Sequence, residues 1–299
     1  MSATPKTIHE YLDQVRAALE GADPAMVQDA LYDAEEHLRS EMAENPSLSE
    51  AELVAKIANS YGSPEDVAAI YRDTEVKVTR ALRPPRPPAR PSAIGRFFGV
   101  AADPRTYAAL FYMLLALATG IFYFTWAVTG LSLSIGFAIL IFGIPFTLLF
   151  LGTVRVLSLV EGRMVEVMLG VRMPRRPPYA QRALPFMERI KRMLGDPRTW
   201  STLLYMVLML PLGILYFTVA VTGLSLSIGL IFAPVAYLFG GHWAIGNWDD
   251  GYYYIPPFWA PPMLMLLGVV LLFAMLHLAR GIGYAHGQLA KNLLVHSGD

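Results

Sequence analysis

The sequence predicts an all-α protein: an N-terminal cytoplasmic four-helix domain followed by four transmembrane helices built as two duplicated hairpins. Three observations carry that expectation. Of 299 residues, 55% are hydrophobic and only 16% are charged, against about 25% charged in an ordinary soluble domain. Two long stretches are almost free of charge. The formal net charge of zero hides an acidic front: residues 1–75 hold sixteen acids and five bases, a net −11 that leaves +11 for the rest. An acidic front on a basic, apolar body reads as two domains in different solvents. Such a front repels polyanions, so no nucleic-acid partner is expected. The absence of cysteine excludes a disulfide scaffold, a thiolate metal site and a cysteine nucleophile.

The front patterns as four helices over residues 1–75. Ile8, Tyr11, Leu12, Val15 and Leu19 form one helical stripe, and Glu20-Gly21 ends it. Asp23-Pro24 supplies an N-cap and an N1 proline for a second helix with Met26, Val27, Ala30, Leu31, Ala34 and Leu38 inward, stopped at Asn45-Pro46. Ser49 with Glu52 forms a capping-box pattern ahead of Leu53, Val54, Ile57 and Tyr61. Ser63-Pro64-Glu65-Asp66 opens a short last helix carrying Val67, Ile70 and Tyr71. So small a core is marginal alone, and docking or tethering would support it. His37 beside Glu35, Glu36 and Glu41 is read as a solvated acidic face rather than a metal site.

Tyr11-Leu12, Glu35-Glu36-His37 and Tyr61-Gly62-Ser63-Pro64-Glu65-Asp66-Val67-Ala68 make this front resemble the HAAS domain of bacterial membrane proteins. That resemblance implies a cytoplasmic protein-interaction role in signalling, often beside PadR-type transcription regulators.

Residues 76–101 form a Pro/Arg-rich linker whose centre, 83–91, favours an extended polyproline II spacer. Arg83, Arg86 and Arg90, with Arg175 and Arg176 in a second Pro/Arg linker at 171–194, are expected against anionic headgroups. Tyr107–Val154 contains no charge, and Thr199–Ala279 contains only Asp249 and Asp250. Runs of 18 or more such residues are transmembrane candidates. The first hairpin, with its cytoplasmic extension, covers 102–170. Its spans are expected near 106–128 and 133–157, turning at Thr129-Gly130-Leu131-Ser132. The second covers 195–299, with spans near 199–221 and 261–279. Segment 228–240 is expected to dip into the bilayer or lie on its surface rather than cross it.

The hairpins are an internal repeat. Residues 103–136 match 196–229 at an offset of 93, including ten consecutive identities at Ala127–Gly136 and Ala220–Gly229. Downstream the offset is 125, pairing Arg155 with Arg280, Gly162 with Gly287 and Leu169 with Leu294, so the second copy carries 32 extra residues. Each copy opens with Asp-Pro-Arg-Thr-aromatic, a reasoned helix start. Seven bases in 77–105 and ten in 155–198, with none in the predicted external loops, place both termini in the cytoplasm by the positive-inside rule. Two hairpins of one direction argue for parallel duplication in a bacterial cytoplasmic (inner) membrane, the first span acting as an uncleaved anchor.

This repeat, its Thr-Gly-Leu-Ser-Leu turns and the Arg155–Leu169 segment ending in Leu169-Gly170 resemble the bacterial putative-sensor membrane domain that precedes kinase modules in some actinobacterial histidine kinases. Unlike those kinases, the chain shows no phosphoacceptor or ATP-binding domain before Asp299, so output is expected through the acidic front or a separate protein.

No phosphate loop, nucleophile elbow or metal-spaced histidine pair is present, and His277 and His286 fall on opposite faces of one helix. No enzyme activity, catalytic residue, cofactor or metal is expected. The ligand or partner contact is assigned to the external insertion at about 240–262, through Trp243, Trp248, Asp249, Asp250, Tyr252, Tyr253, Tyr254 and Trp259. Aromatic faces beside carboxylates can hold a cationic ligand, and the same residues suit an aromatic belt at the headgroups. Ala116, Gly120 and Gly213 offer close helix approach, Gly143-Ile144-Pro145 a kink, and Arg155–Leu169 an amphipathic extension along the inner surface with Met164, Val167 and Met168 apolar. The expected partners are the lipid bilayer, a cytoplasmic regulator or other membrane subunits reached through residues 1–75, and a second copy in a homo-oligomer. The expected function is non-enzymatic membrane signalling, with an accessory structural subunit of a larger complex as the alternative.

Overall fold

The computed structural model describes residues 4–82, 92–137, 143–174, 191, 193–238, 257 and 259–295. These residues are helical with no strand among them. The chain divides into two compact units: Met1–Pro85, Tyr123–Leu208 and His286–Asp299 in one, and Arg86–Phe122 with Met209–Ala285 in the other.

The head comprises α1 (Ile8–Ala18), α2 (Pro24–Glu44), α3 (Glu50–Ser60) and α4 (Pro64–Leu82). Its starts are set by side-chain caps. Thr7 accepts from the Glu10 N–H, Asp23 from the Ala25 N–H, and Ser49 and Glu52 close a full capping box. Ser63 and Asp66 repeat that reciprocal arrangement, each backbone N–H lying 3.2 Å from the other's side-chain oxygen. One core packs Tyr11, Val15, Leu19, Met26, Ala30, Leu38, Leu53 and Ile57. The Tyr11 hydroxyl donates to the Gly62 carbonyl at 2.8 Å, and burial pushes its phenol up to about 12. Two expectations need correction. The fourth helix is not short but spans 19 residues, because nothing after Tyr71 breaks it before the proline run. Ile70 does not enter the core and is 60% exposed.

Among the described residues, four helices are long and apolar enough to cross a membrane: α6 (Pro104–Phe137), α7 (Gly143–Leu169), α8 (Pro197–Leu238) and α9 (Ala260–Leu294). A short α5 (Ala93–Gly99) and a 3-10 turn precede α6. Both hairpins start by one device. Asp103 accepts from the Arg105 N–H and Asp196 from the Arg198 N–H, each at 3.0 Å. Four residues past each aspartate an aromatic ring reaches back to a carbonyl, Tyr107 to Ala101 and Trp200 to Leu194.

The expected turn at 129–132 is helical, inside α6. Glycine costs a helix only about 1 kcal/mol, and the Gly130 position is required for packing: a Cβ there would overlap the Phe150 ring. Its equivalent, Gly223, faces Met275, the counterpart of Phe150. Residues 228–238, expected to dip or lie flat, continue α8 without a break past Pro234. Gly143-Ile144-Pro145 forms the first turn of α7, where proline is tolerated, and not a kink. The remaining expected segment of the insertion, 239–256, lies outside the described residues.

The close approach expected of the small residues is present and reciprocal. A Cβ on Gly120 would overlap the Met209 carbonyl, and one on Gly213 the Ala116 carbonyl. Met209 is the repeat counterpart of Ala116, and Gly213 of Gly120, so each helix lends the other the same pair of positions.

Gly120→Leu or Gly213→Leu should therefore lower stability by about 1–3 kcal/mol, the usual cost of overpacking. The double variant should cost less than the sum, because one bulky side chain already separates the backbones; thermal melts in detergent measure both. In the head, hydrogen bonds from Ser49 and Ser63 hold the Glu52 and Asp66 carboxyls below their ordinary values. Folded values below unfolded ones add stability above the unfolded pKa, lost as pH falls through the depressed values. Ser49→Ala and Ser63→Ala should each cost about 1 kcal/mol at neutral pH and less in acid, as read from urea titrations followed on the head.

Candidate functional site: a buried carboxylate cluster and an ionic head contact

The polar centre of the first unit is Glu161 on α7, which is 1% exposed. A carboxylate removed from water must be hydrogen-bonded or paired. Tyr205 of α8 donates to its Oε1 at 2.7 Å, and Tyr123 of α6 to its Oε2 at 3.0 Å. His286 of α9 lies 3.0 Å from the Tyr205 oxygen through Nε2. With the single Tyr205 proton committed to the carboxylate, the histidine Nε2–H is the donor in that second bond. Four helices thus converge on one carboxylate. His286 is buried here, while His277, on the opposite face of α9, approaches the Phe97 carbonyl at 3.0 Å.

One turn further along α7, Glu166 is also buried. The helix then stops at Gly170, whose φ of 71° is the left-handed conformation that glycine adopts freely. The chain then leaves the helix for a short non-helical segment. Met173 packs on Gly162 of α7, and Val171 on Gly287 of α9, two glycines that are repeat counterparts. Gripped on both sides, the segment presents Arg172 to the head. Its Nη2 lies 3.0 Å from Asp29, its Nε 3.2 Å from Glu75 and its Nη1 3.5 Å from Glu166. Arg163 holds the other Glu166 oxygen at 2.6 Å. Burial alone would lower the Arg172 pKa, and the three carboxylates, Glu75 foremost, outweigh it and raise it.

Two further contacts hold the head. Lys291 of α9 reaches Asp23 at 2.5 Å. Arg198 at the start of α8 donates to the Tyr32 hydroxyl and to the Leu294 carbonyl, and burial raises the Tyr32 phenol against the opposing pull of Arg198. Arg155 pairs with Asp196 at 3.3 Å. In the other unit Arg280 pairs with Asp103 at 3.2 Å. Each pair joins the second helix of one copy to the N-cap of the other.

Arg83, Arg86, Arg90, Arg175, Arg176, Trp243, Trp248, Asp249, Asp250, Tyr252, Tyr253 and Tyr254 lie outside the described residues; Trp259 is described and is 57% exposed. The Arg163–Glu166 pair expected from the sequence is present. Residues 155–169 continue α7 as one helix and bury Glu161, Gly162, Val165 and Glu166, while Val167 is 78% exposed. Burial follows the hydrogen-bonding partners rather than the apolar stripe. His37 stacks on Tyr61 with centroids 4.4 Å apart, and no group of three metal-ligating side chains occurs among the described residues.

The family model described as Putative sensor matches residues 112–294, spanning α6 to the end of α9. The chain belongs to this sensor family. A HAAS model matches residues 10–70, the head. No curated protein and no solved structure matches the chain. The sensor-family region therefore contains the whole carboxylate cluster and Arg172, and the HAAS region contains Asp23, Asp29 and Tyr32 on the other side of the head contact. Sequence reasoning missed Glu161, Tyr123, Tyr205 and Arg172. The repeat offset held a signal, since it pairs Glu161 with His286 and Tyr112 with Tyr205.

Glu161→Leu should remove the acceptor that both tyrosine hydroxyls use, at about 1–3 kcal/mol for each hydrogen bond lost. Glu161→Gln, which keeps one acceptor oxygen and can turn the other bond round by donating its amide N–H to a tyrosine oxygen, should lose less. Comparative thermal melts in detergent distinguish the two.

Proposed function

We propose that this protein is a non-enzymatic signalling protein of the bacterial cytoplasmic membrane, in which the helix packing of the body controls how firmly the acidic head is held. The observation that carries the reading is the three-point head contact through Arg172, Arg198 and Lys291, placed on the ends of the same helices that meet at Glu161. In this reading both termini are cytoplasmic, and the aromatic insertion with Trp243, Trp248, Asp249 and Asp250 is the external surface at which a cationic ligand or envelope state acts. A shift of α7 against α8 and α9 moves Glu166 and Gly162 relative to Gly287, and so loosens the grip on the segment that carries Arg172. The head then exposes the surface that a cytoplasmic regulator binds.

A ligand can shift such an equilibrium only by its differential affinity for the two states, so the head contact must be breakable. Buried ion pairs suit this, because desolvation offsets much of their attraction. Arg172→Glu combined with Lys291→Glu should speed hydrogen exchange in α2 and α4 while leaving α6–α9 unchanged, and should alter which cytoplasmic proteins co-purify from native membranes. Unchanged exchange in the head, with the same co-purifying proteins, would sink the proposal.

A further inference from the structure

The face of the head that receives Arg172 is larger than one guanidinium needs. A groove of about 490 Å³ runs between α2 and α4, lined by Asp29, Asp33, Tyr61, Ile70, Tyr71 and Glu75, with Arg172 at one edge. That volume falls within the roughly 300–1,000 Å³ of ligand pockets. Its chemistry is specific: three carboxylates share it with two phenol rings, and Ile70 and Tyr61 are open to solvent. The Tyr71 hydroxyl donates to Asp33 at 2.5 Å, which fixes the ring as a wall of the groove. Carboxylates beside aromatic rings suit a planar cation that forks onto oxygen and stacks on a ring.

We infer that this groove is a docking surface for a non-helical, arginine-bearing segment of a partner protein, and that Arg172 occupies part of it as an internal stand-in. The inference deepens the signalling proposal and rests on it for the moment of release. Arg172 shows how the ligand is read: Nε to Glu75 and Nη2 to Asp29, from a non-helical backbone between two glycine-packed neighbours. A partner with the same chemistry competes for the same two carboxylates and gains the Tyr61, Tyr71 and Ile70 surface that Arg172 does not fill. The head's net charge of −11 over residues 1–75 attracts such a segment at a distance. While Arg172 is seated, only the fraction of molecules with an open groove can bind, and apparent affinity falls by that fraction.

The probe is a fluorescent peptide of residues 171–178, Val-Arg-Met-Pro-Arg-Arg-Pro-Pro, titrated by anisotropy against the full chain in detergent. Arg172→Ala should bind it about tenfold more tightly than wild type or better, as removal of an internal competitor requires. Adding Asp29→Asn and Glu75→Gln to Arg172→Ala should abolish the gain. Adding Ile70→Lys, at an exposed position that cannot unfold the head, should weaken binding about tenfold by placing like charge on the rim. A peptide with its arginines replaced by glutamine should not bind. Equal binding by wild type and Arg172→Ala overturns the inference, as does binding indifferent to the Asp29 and Glu75 substitutions or to loss of the peptide's arginines. Hydrogen exchange on the same Arg172→Ala sample separates the two ideas: a freed head without peptide binding defeats the groove alone, and a head that stays protected while the peptide binds defeats the signalling coupling alone.

Discussion

Burying the Glu161 carboxylate among apolar helices is the constraint from which much of this architecture follows. A carboxylate left without donors in such surroundings costs several kcal/mol. Donors must therefore come from other helices, and they do: Tyr123 from α6 and Tyr205 from α8, with His286 of α9 bonded to Tyr205. Satisfying one acceptor fixes the rotation of α7, which sets the direction of Glu166 five residues on. Glu166 in turn faces Arg172, and Arg172 faces the head. The groups are linked in series, although Glu166 is also held by Arg163 and Arg172 by Asp29 and Glu75.

Duplication explains why so many contacts come in pairs. Asp103 and Asp196 start two helices alike, Gly120 and Gly213 exchange equivalent contacts, and Arg155 and Arg280 pair with the opposite copy's aspartate. The informative positions are those at which the copies have diverged. Glu161 stands opposite His286 in the repeat, and Glu166 opposite Lys291. At the first pair the polar cluster forms; at the second, Glu166 holds Arg172 while Lys291 holds Asp23. A single head docked on a duplicated body needs such asymmetry, because two identical surfaces would offer it two equivalent seats.

The helical front, its caps and the four long apolar helices were legible in the sequence because each depends on local chemistry. Asp23-Pro24, the Ser49/Glu52 box and Ser63-Pro64 mark helix starts without reference to anything distant. The Thr-Gly-Leu-Ser turn was misread for the same reason. Judged locally, Gly130 looks like a turn residue, but its role is contact with Phe150, twenty residues away. The carboxylate cluster was invisible to a reading by spacing, since Tyr123, Glu161, Tyr205 and His286 sit on four helices and share no motif. Arg172 was absorbed into a basic linker, because composition does not distinguish an arginine facing lipid from one inserted between Asp29 and Glu75.

The energetics of the head contact favour a contact that specifies geometry over one that only adds stability. Exposed ion pairs are worth about 0–1 kcal/mol, and buried ones are offset by desolvation, yet removing one partner from a buried network costs about 3–5 kcal/mol. Arg172 is 11% exposed and is shared by carboxylates from the head and from α7. Separating the head in one step leaves Asp29 and Glu75 without their cation, which is costly unless another cation takes its place. Water can solvate those carboxylates once the groove opens, but an arginine from elsewhere restores the same forked bonds with less loss. On the proposed signalling reading, the contact favours exchange over simple dissociation, with α7, which positions Glu166 and the glycine grip on the segment, setting how readily the exchange begins.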